Sequence, residues 1–312
     1  MLAARIERFG SPEVIDIREI ERPSPGPGQV LVRVAAAGVG PWDAWVRSGK
    51  SVLDQPLPLT LGSDIAGRVE AVGPNVETFV AGQQVFGVTN DRFTDGYAEY
   101  AVAKVASLAP RPKRLSDLEA ASLPVVATTA HQMLFAHGQM RPQDRVLVLG
   151  AGGNVGAFVL QLVGAFGADV LGVDVGASAD YARALAIGPI VDPPMARRPD
   201  LGLFDLVIDT VGGDLQASAL AVIRPGGRLV SSVTSPDPAE AARHDVKATF
   251  LLVKVRTPEL AYLAGLFDAR LLSPHVGTVL PLSEARAAHE MLDGKRSRAP
   301  GKIVLEVAKT ET

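Results

Sequence analysis

The stretch from Arg145 to Asp174 constrains the fold more tightly than any other part of the chain. Val146 to Leu149 is an unbroken apolar run of strand length, Gly150 to Gly156 is a glycine-rich turn, and Ala157 to Ala165 carries apolar residues compatible with a helix. A second apolar run from Asp169 to Val173 ends on Asp174. Strand, turn, helix and strand in that order leave backbone N–H groups and the positive end of a helix dipole beside the turn, which together suit a diphosphate. The unit predicts dinucleotide binding.

The glycines fit the spacing G-x-x-G-x-x-G on Gly150, Gly153 and Gly156. In that reading Gly150 frees the strand exit, Gly153 lets backbone approach the phosphates, and Gly156 lets the helix pack on the strands. The predicted grip is Gly150, Ala151, Gly153, Asn154, Val155 and Gly156. An ordinary crossover with glycines kept for packing would look similar. Asp174, 18 residues after Gly156, favours the nucleotide reading, because a carboxylate there can accept hydrogen bonds from an adenosine ribose.

A length of 312 residues predicts two domains. Apolar residues at 47%, charged residues at 21% and a net charge of −3 describe an ordinary globular chain, with no electrostatic reason to expect nucleic acid. There is no cysteine, so disulfides, thiolate nucleophiles and Cys-ligated zinc are excluded. The five histidines show no metal-ligand spacing such as H-E-x-x-H, and no metal site is predicted. Met1 to Arg8 alternates charged with apolar residues and lacks the apolar core of a signal peptide, which predicts a cytoplasmic protein. Val155 to Val175 is strongly apolar but contains Gln161, Asp169 and four glycines, so a buried crossover is expected rather than a membrane span.

Alternation over Leu2 to Arg8, Val14 to Ile20, Val30 to Val34 and Tyr97 to Val105, with β-rich runs at Ile65 to Val72 and Val85 to Val88, predicts a mainly antiparallel first third. Asp43 to Ser48 is expected to form a helical turn carrying Trp42 and Trp45, and Ser116 with Glu119 reads as a capped helix start. Tyr100 and Lys104 match a Y-x-x-x-K pair. On a strand, however, positions four apart lie roughly 13 Å from one another, too far for the lysine to tune the phenol. A single apolar helix is expected over Leu123 to Ala136. Further helices are predicted around Ala179 to Ala186 and Leu215 to Ile223, with strands at Leu206 to Asp209 and Arg228 to Val233, a pattern that implies a parallel sheet. Two amphipathic stretches, Leu260 to Ala269 and Ser283 to Leu292, precede a last strand, Lys302 to Val307, whose pattern matches the opening third.

Several segments together resemble the zinc-independent quinone oxidoreductase branch of the medium-chain dehydrogenase/reductase superfamily. They include Phe9 to Val14, Pro27 to Val32, Leu61 to Asp64 with Gly67, Gly96 to Tyr100, Gly150 to Gly156, Asp209 to Gly213, Pro225 to Gly227, and Gly301 with Lys302. The resemblance implies an α/β protein, with a Rossmann-type doubly wound parallel sheet over 122–255 and a discontinuous, mainly-β GroES-like catalytic domain over 1–121 and 256–312. It also implies a homodimer and hydride transfer from NAD(P)H to a quinone, enone or related carbonyl compound, without zinc.

By the same resemblance, Thr129 touches the nicotinamide and Trp45 lines the substrate pocket. Val211, Ser231, Ser232 and Val233 lie beside the coenzyme, Phe250, Leu251 and Leu252 offer backbone to the carboxamide, and Lys302 reaches the phosphates. Gly40 stands where relatives carry an asparagine beside the substrate. The lost polar group keeps open a second reading, a non-redox or coenzyme-binding member with a biosynthetic or regulatory role. The resemblance favours NADPH, whereas Asp174 favours NADH, since its carboxylate about 4 Å from a 2′-phosphate would repel it by several kcal/mol at an effective dielectric of ~20. Arg183 is the nearest predicted cation to offset that repulsion, with Ser178 and Tyr181 as hydrogen-bonding neighbours.

Overall fold

A computed structural model describes residues 1–193 and 202–308. Residues 194–201 and 309–312 of the expected domain ranges lie outside the described residues. The chain divides into two units, Met1–Val125 with Lys254–Thr312, and Val126–Val253.

In the first unit Gln29–Val39 is the central strand. Its one edge pairs antiparallel with Asp64–Val72, while its other edge is shared by Tyr100–Lys104 and Lys302–Glu306. Gln84–Val88 and Leu108–Pro110 extend the sheet on one side, and Val276–Pro281 extends it on the other, parallel to Lys302–Glu306. Val30, Val32 and Val34 share a face, and all three are buried against Ile65, Val69 and Ile303. The alternation visible in the sequence is therefore the alternation of core and surface. A smaller sheet sets Leu2–Ile6 between Asp16–Glu19 and Leu59–Thr60.

The second unit holds a six-stranded sheet whose strands are all parallel. Numbered along the chain within this sheet, they lie in the order third, second, first, fourth, fifth, sixth, and Arg145–Leu149 is the first. That is the order of a Rossmann sheet. Val146, Leu147, Val148 and Leu149 are fully buried, as a strand covered on both faces requires. Helices Asn154–Ala165, Gly176–Ala184, Gly213–Ala219 and Pro238–Arg243 alternate with the strands.

Some element boundaries depart from the sequence reading. The helix expected over Leu123 to Ala136 ends at His131 and continues as a π-helical turn, Gln132–His137. The helix expected to reach Ile223 stops at Ala219, and Ile223 opens a strand that ends at Ser231. Ser232 and Val233 therefore lie beyond the strand they were expected to finish. The strand Val276–Pro281 has no clear signal, because Gly277 and Pro281 mask its weak alternation. Among the described residues, no helix is long and apolar enough to cross a membrane.

Candidate functional site

The strand order of the parallel sheet reverses between Arg145–Leu149 and its neighbour Phe204–Asp209. A reversal of this kind opens a crevice at the carboxyl ends of the strands, and Gly150 to Gly156 lies there. Gly150 N–H and Ala151 N–H donate to Val173 O, tying the turn to the second strand. Gly153 is the N-cap of the helix Asn154–Ala165, and no side chain caps that helix end. A Cβ on Gly156 would come 2.0 Å from Gly150 O, and one on Gly152 would come 1.8 Å from Ser178 O. One on Gly153 would meet only Gly150 O, at 3.2 Å. Close packing thus demands glycine at 152 and 156, and Gly152 is a member of the turn that the expected spacing passed over. Its signal was the Gly152-Gly153 doublet.

The turn offers helix-terminal N–H groups with no side-chain cap and no Cβ standing over its tightest part. Those features fit a diphosphate. Beside it, buried Asp209 accepts from Val211 N–H at 3.0 Å, Gly212 N–H at 2.8 Å, Gln216 Nε2 at 2.8 Å and Ser231 Oγ at 2.7 Å. Asp209 therefore organises the neighbouring turn, and sequence reasoning gave it no role. The Ser231 hydroxyl, expected beside the coenzyme, is instead spent on Asp209. Leu251 is buried with its N–H donated to Ser231 O, while Phe250 and Leu252 are exposed.

Asp174 has a different arrangement from the expected free carboxylate. Its Oδ2 accepts from Gly152 N–H at 2.7 Å, and its Oδ1 accepts from Val175 N–H at 2.8 Å and Ser178 Oγ at 2.6 Å. It staples the second strand to the glycine turn and to the start of the next helix. A carboxylate has about four acceptor positions, so roughly one is left for a ribose hydroxyl. Arg183 pairs with Asp180 at 3.0 Å and Asp192 at 3.6 Å rather than with Asp174. Tyr181 is half-buried, and burial pushes its phenol up. Thr129 lies buried in the helix Pro124–His131.

Gly40, Trp45 and Lys302 belong to the first unit. Gly40 is the N-cap of the helix Pro41–Ser48, and the Trp42 ring lies across it, so that an added Cβ would sit 2.3 Å from a ring carbon. An indole fills the space that a side chain at position 40 would need. Trp45, on the same helix, is 46% exposed. Lys302 is buried, with Nζ 3.1 Å from Asp64 Oδ2 and 4.3 Å from the centre of the Trp42 ring. This corrects its expected role, because an ammonium sealed between a carboxylate and an indole is not presented to a phosphate.

Profiles described as an alcohol dehydrogenase GroES-like domain and a zinc-binding dehydrogenase match residues 26–113 and 172–305. The chain is 32% identical to the quinone oxidoreductase of Sus scrofa, over 98% of this chain and 97% of that one. It belongs to the quinone oxidoreductase family of medium-chain dehydrogenases/reductases.

Members of this family are NAD(P)H-dependent oxidoreductases, and the two units are its GroES-like and Rossmann parts. The solved quinone oxidoreductase of Coxiella burnetii superposes with a TM-score of 0.87 at 30% identity, over 99% of both chains. A mycobacterial structure complexed with NADPH gives 0.88 at 27% identity, over 98% of this chain and all of that one. Family membership disfavours the non-redox reading. One profile's description names zinc, yet the chain has no cysteine. Among the described residues, no three His, Asp or Glu side chains gather as a metal site.

Proposed function

We propose that the protein reduces quinones or conjugated enones with NADH in preference to NADPH, as a cytoplasmic homodimer. The observation that carries the reading is the glycine turn at the reversal point of the sheet, in a chain whose similar proteins are named quinone oxidoreductases. Gly150, Ala151, Gly153, Asn154, Val155 and Gly156 hold the diphosphate through backbone N–H groups and the helix dipole. Asp174 takes the adenosine ribose on its remaining acceptor position and repels a 2′-phosphate. The commitment of Arg183 to Asp180 and Asp192 supports NADH, since the cation nearest in sequence already has two acidic partners.

When bound, the coenzyme supplies the hydride. Thr129, the turn after Asp209 and the backbone of Phe250, Leu251 and Leu252 orient the nicotinamide. Trp45 offers an exposed aromatic face to a flat acceptor. A quinone or enone suits these residues because it spreads developing negative charge over its own π system, which lowers the demand on protein donors. The test mixes the protein with NADH or NADPH and a panel of quinones, enones and simple ketones, and follows the nicotinamide absorbance. Oxidation of NADH by quinones or enones is expected. Tight coenzyme binding with no oxidation across the panel would remove the redox reading.

A further inference from the structure

Gly38 to Asp43, Leu61 to Asp64, Gly96 with Tyr97, and Gly301 with Lys302 are far apart in sequence, yet they meet in one buried polar cluster of the first unit. The cluster holds two carboxyl groups, Asp43 and Asp64, both with no exposed surface, and one ammonium, that of Lys302. Lys302 stands against Asp64 at 3.1 Å and answers that group. Asp43 has neutral donors only. Gly40 N–H and Tyr97 O–H both donate to its Oδ2, each at 2.8 Å, while its Oδ1 is buried without a hydrogen-bond partner among the described residues.

An ionised Asp43 would leave a charged oxygen with no donor in a low-dielectric interior, beside a second carboxyl group. A protonated Asp43 carries its hydrogen on Oδ1 and keeps both bonds at Oδ2. We propose that Asp43 is the positioning residue of the helix Pro41–Ser48 and grips it as a neutral carboxylic acid. Burial is the main cause holding its proton, pushing the carboxyl up to about 7; Asp64 adds to the shift, and Gly40, Lys302 and Tyr97 oppose it. One turn further along the same helix, Arg47 is held by His289 Nδ1 at 3.1 Å and by Asp293 at 2.8 Å, and the His289 ring meets the edge of Tyr97 at 6.1 Å. Both ends of the helix are gripped by polar groups, and only the Asp43 end depends on a carboxylic proton. Ionisation of Asp43 adds an unanswered charge at the N-terminal end and loosens the segment that carries Trp42 and Trp45.

These are the only two tryptophans in the chain, so intrinsic tryptophan emission reports on this helix alone. The full-length protein without substrate is titrated between about pH 5 and about pH 9, a range that spans the expected transition. Wild-type emission should change as a one-proton transition centred near 7. Asp43→Asn, which keeps an acceptor for both donors and places N–H at the Oδ1 position, should hold the acid-side spectrum throughout. Tyr97→Phe removes a donor that favours the ionised form and should move the midpoint upward. A flat wild-type trace, or an Asp43→Asn protein that titrates like the wild type, would overturn the assignment. The link to substrate through Trp45 rests on the proposed function. Loss of quinone turnover with the emission titration intact would count against that function and not against Asp43.

Discussion

Asp174 serves its own chain before it serves any ligand. Three donors, Gly152 N–H, Val175 N–H and Ser178 Oγ, converge on its carboxylate, so its charge is placed and held before a coenzyme arrives. Replacing it with serine removes the charge but leaves a cap-competent hydroxyl. Asp174→Ser should raise the ratio of kcat/KM for NADPH over NADH by about tenfold or more, equivalent to about 1.4 kcal/mol. An unchanged ratio would take Asp174 out of the adenosine site. A second pair of residues sets the pH response of the first unit. The folded-state pKa of Asp43 is raised from 3.8 to about 7, so its contribution to stability is present below about 4 and is lost as pH rises toward 7. The pKa of His289 is lowered from 6.5 to about 3, chiefly by burial and then by Arg47, so its contribution is present above 6.5 and is lost as pH falls toward 3. Between 3.8 and 6.5 the two slopes oppose each other, each at about 1.4 kcal/mol per pH unit. Denaturant midpoints measured across that interval should rise more steeply with pH in Asp43→Asn than in wild type, and should fall with pH in His289→Asn. Parallel profiles for all three proteins would contradict the assignment.

At the scale of elements, the helix Pro41–Ser48 shows why a residue that looks like a loss in the sequence is a fit in the structure. Gly40 reads as a missing polar side chain, yet the Trp42 indole occupies that volume and stacks against Lys302. Gly40→Asn should therefore cost about 1–3 kcal/mol through overpacking. Adding Trp42→Ala should recover much of that loss, as a thermal melt of the single and double variants would show; equal melting temperatures for wild type and Gly40→Asn would refute the packing argument. Element type was legible wherever periodicity was strong, as in Arg145–Leu149, Asn154–Ala165 and Asp169–Val173. The capping box at Ser116 was legible too, because Ser116 and Glu119 bond each other locally: Glu119 N–H donates to Ser116 Oγ at 3.2 Å, and Ser116 N–H donates to Glu119 Oε2 at 2.8 Å. Tyr100 and Lys104 lie on a strand as read, with Lys104 paired to Asp91 and Tyr100 under Arg22. What escaped notice depends on tertiary partners. Ile223 belongs to a strand because Phe204 pairs with it, and Gly62 must be glycine because the Tyr97 ring lies 1.9 Å from where its Cβ would stand.

For the whole molecule, the sequence disclosed the architecture through one turn and through the switch from antiparallel to alternating pattern. It disclosed the candidate site unevenly. The coenzyme side is a contiguous motif and could be read directly. The cluster of Asp43, Asp64, Tyr97 and Lys302 spans most of the chain, and no local pattern states that a lysine near the C-terminus will be buried against an aspartate at position 64. Its members were visible only as separate family-like segments. Coenzyme capture by the glycine turn is the premise on which the activity depends, and isothermal calorimetry of the full chain with NADH and NADPH tests it most directly. The wild type should bind both, NADH more tightly. Gly156→Val, which drives a side chain into Gly150 O, should weaken binding by about tenfold or more while circular dichroism still reports a folded protein. No heat from the wild type with either coenzyme, or a folded Gly156→Val protein that binds as tightly as the wild type, would contradict capture at this turn.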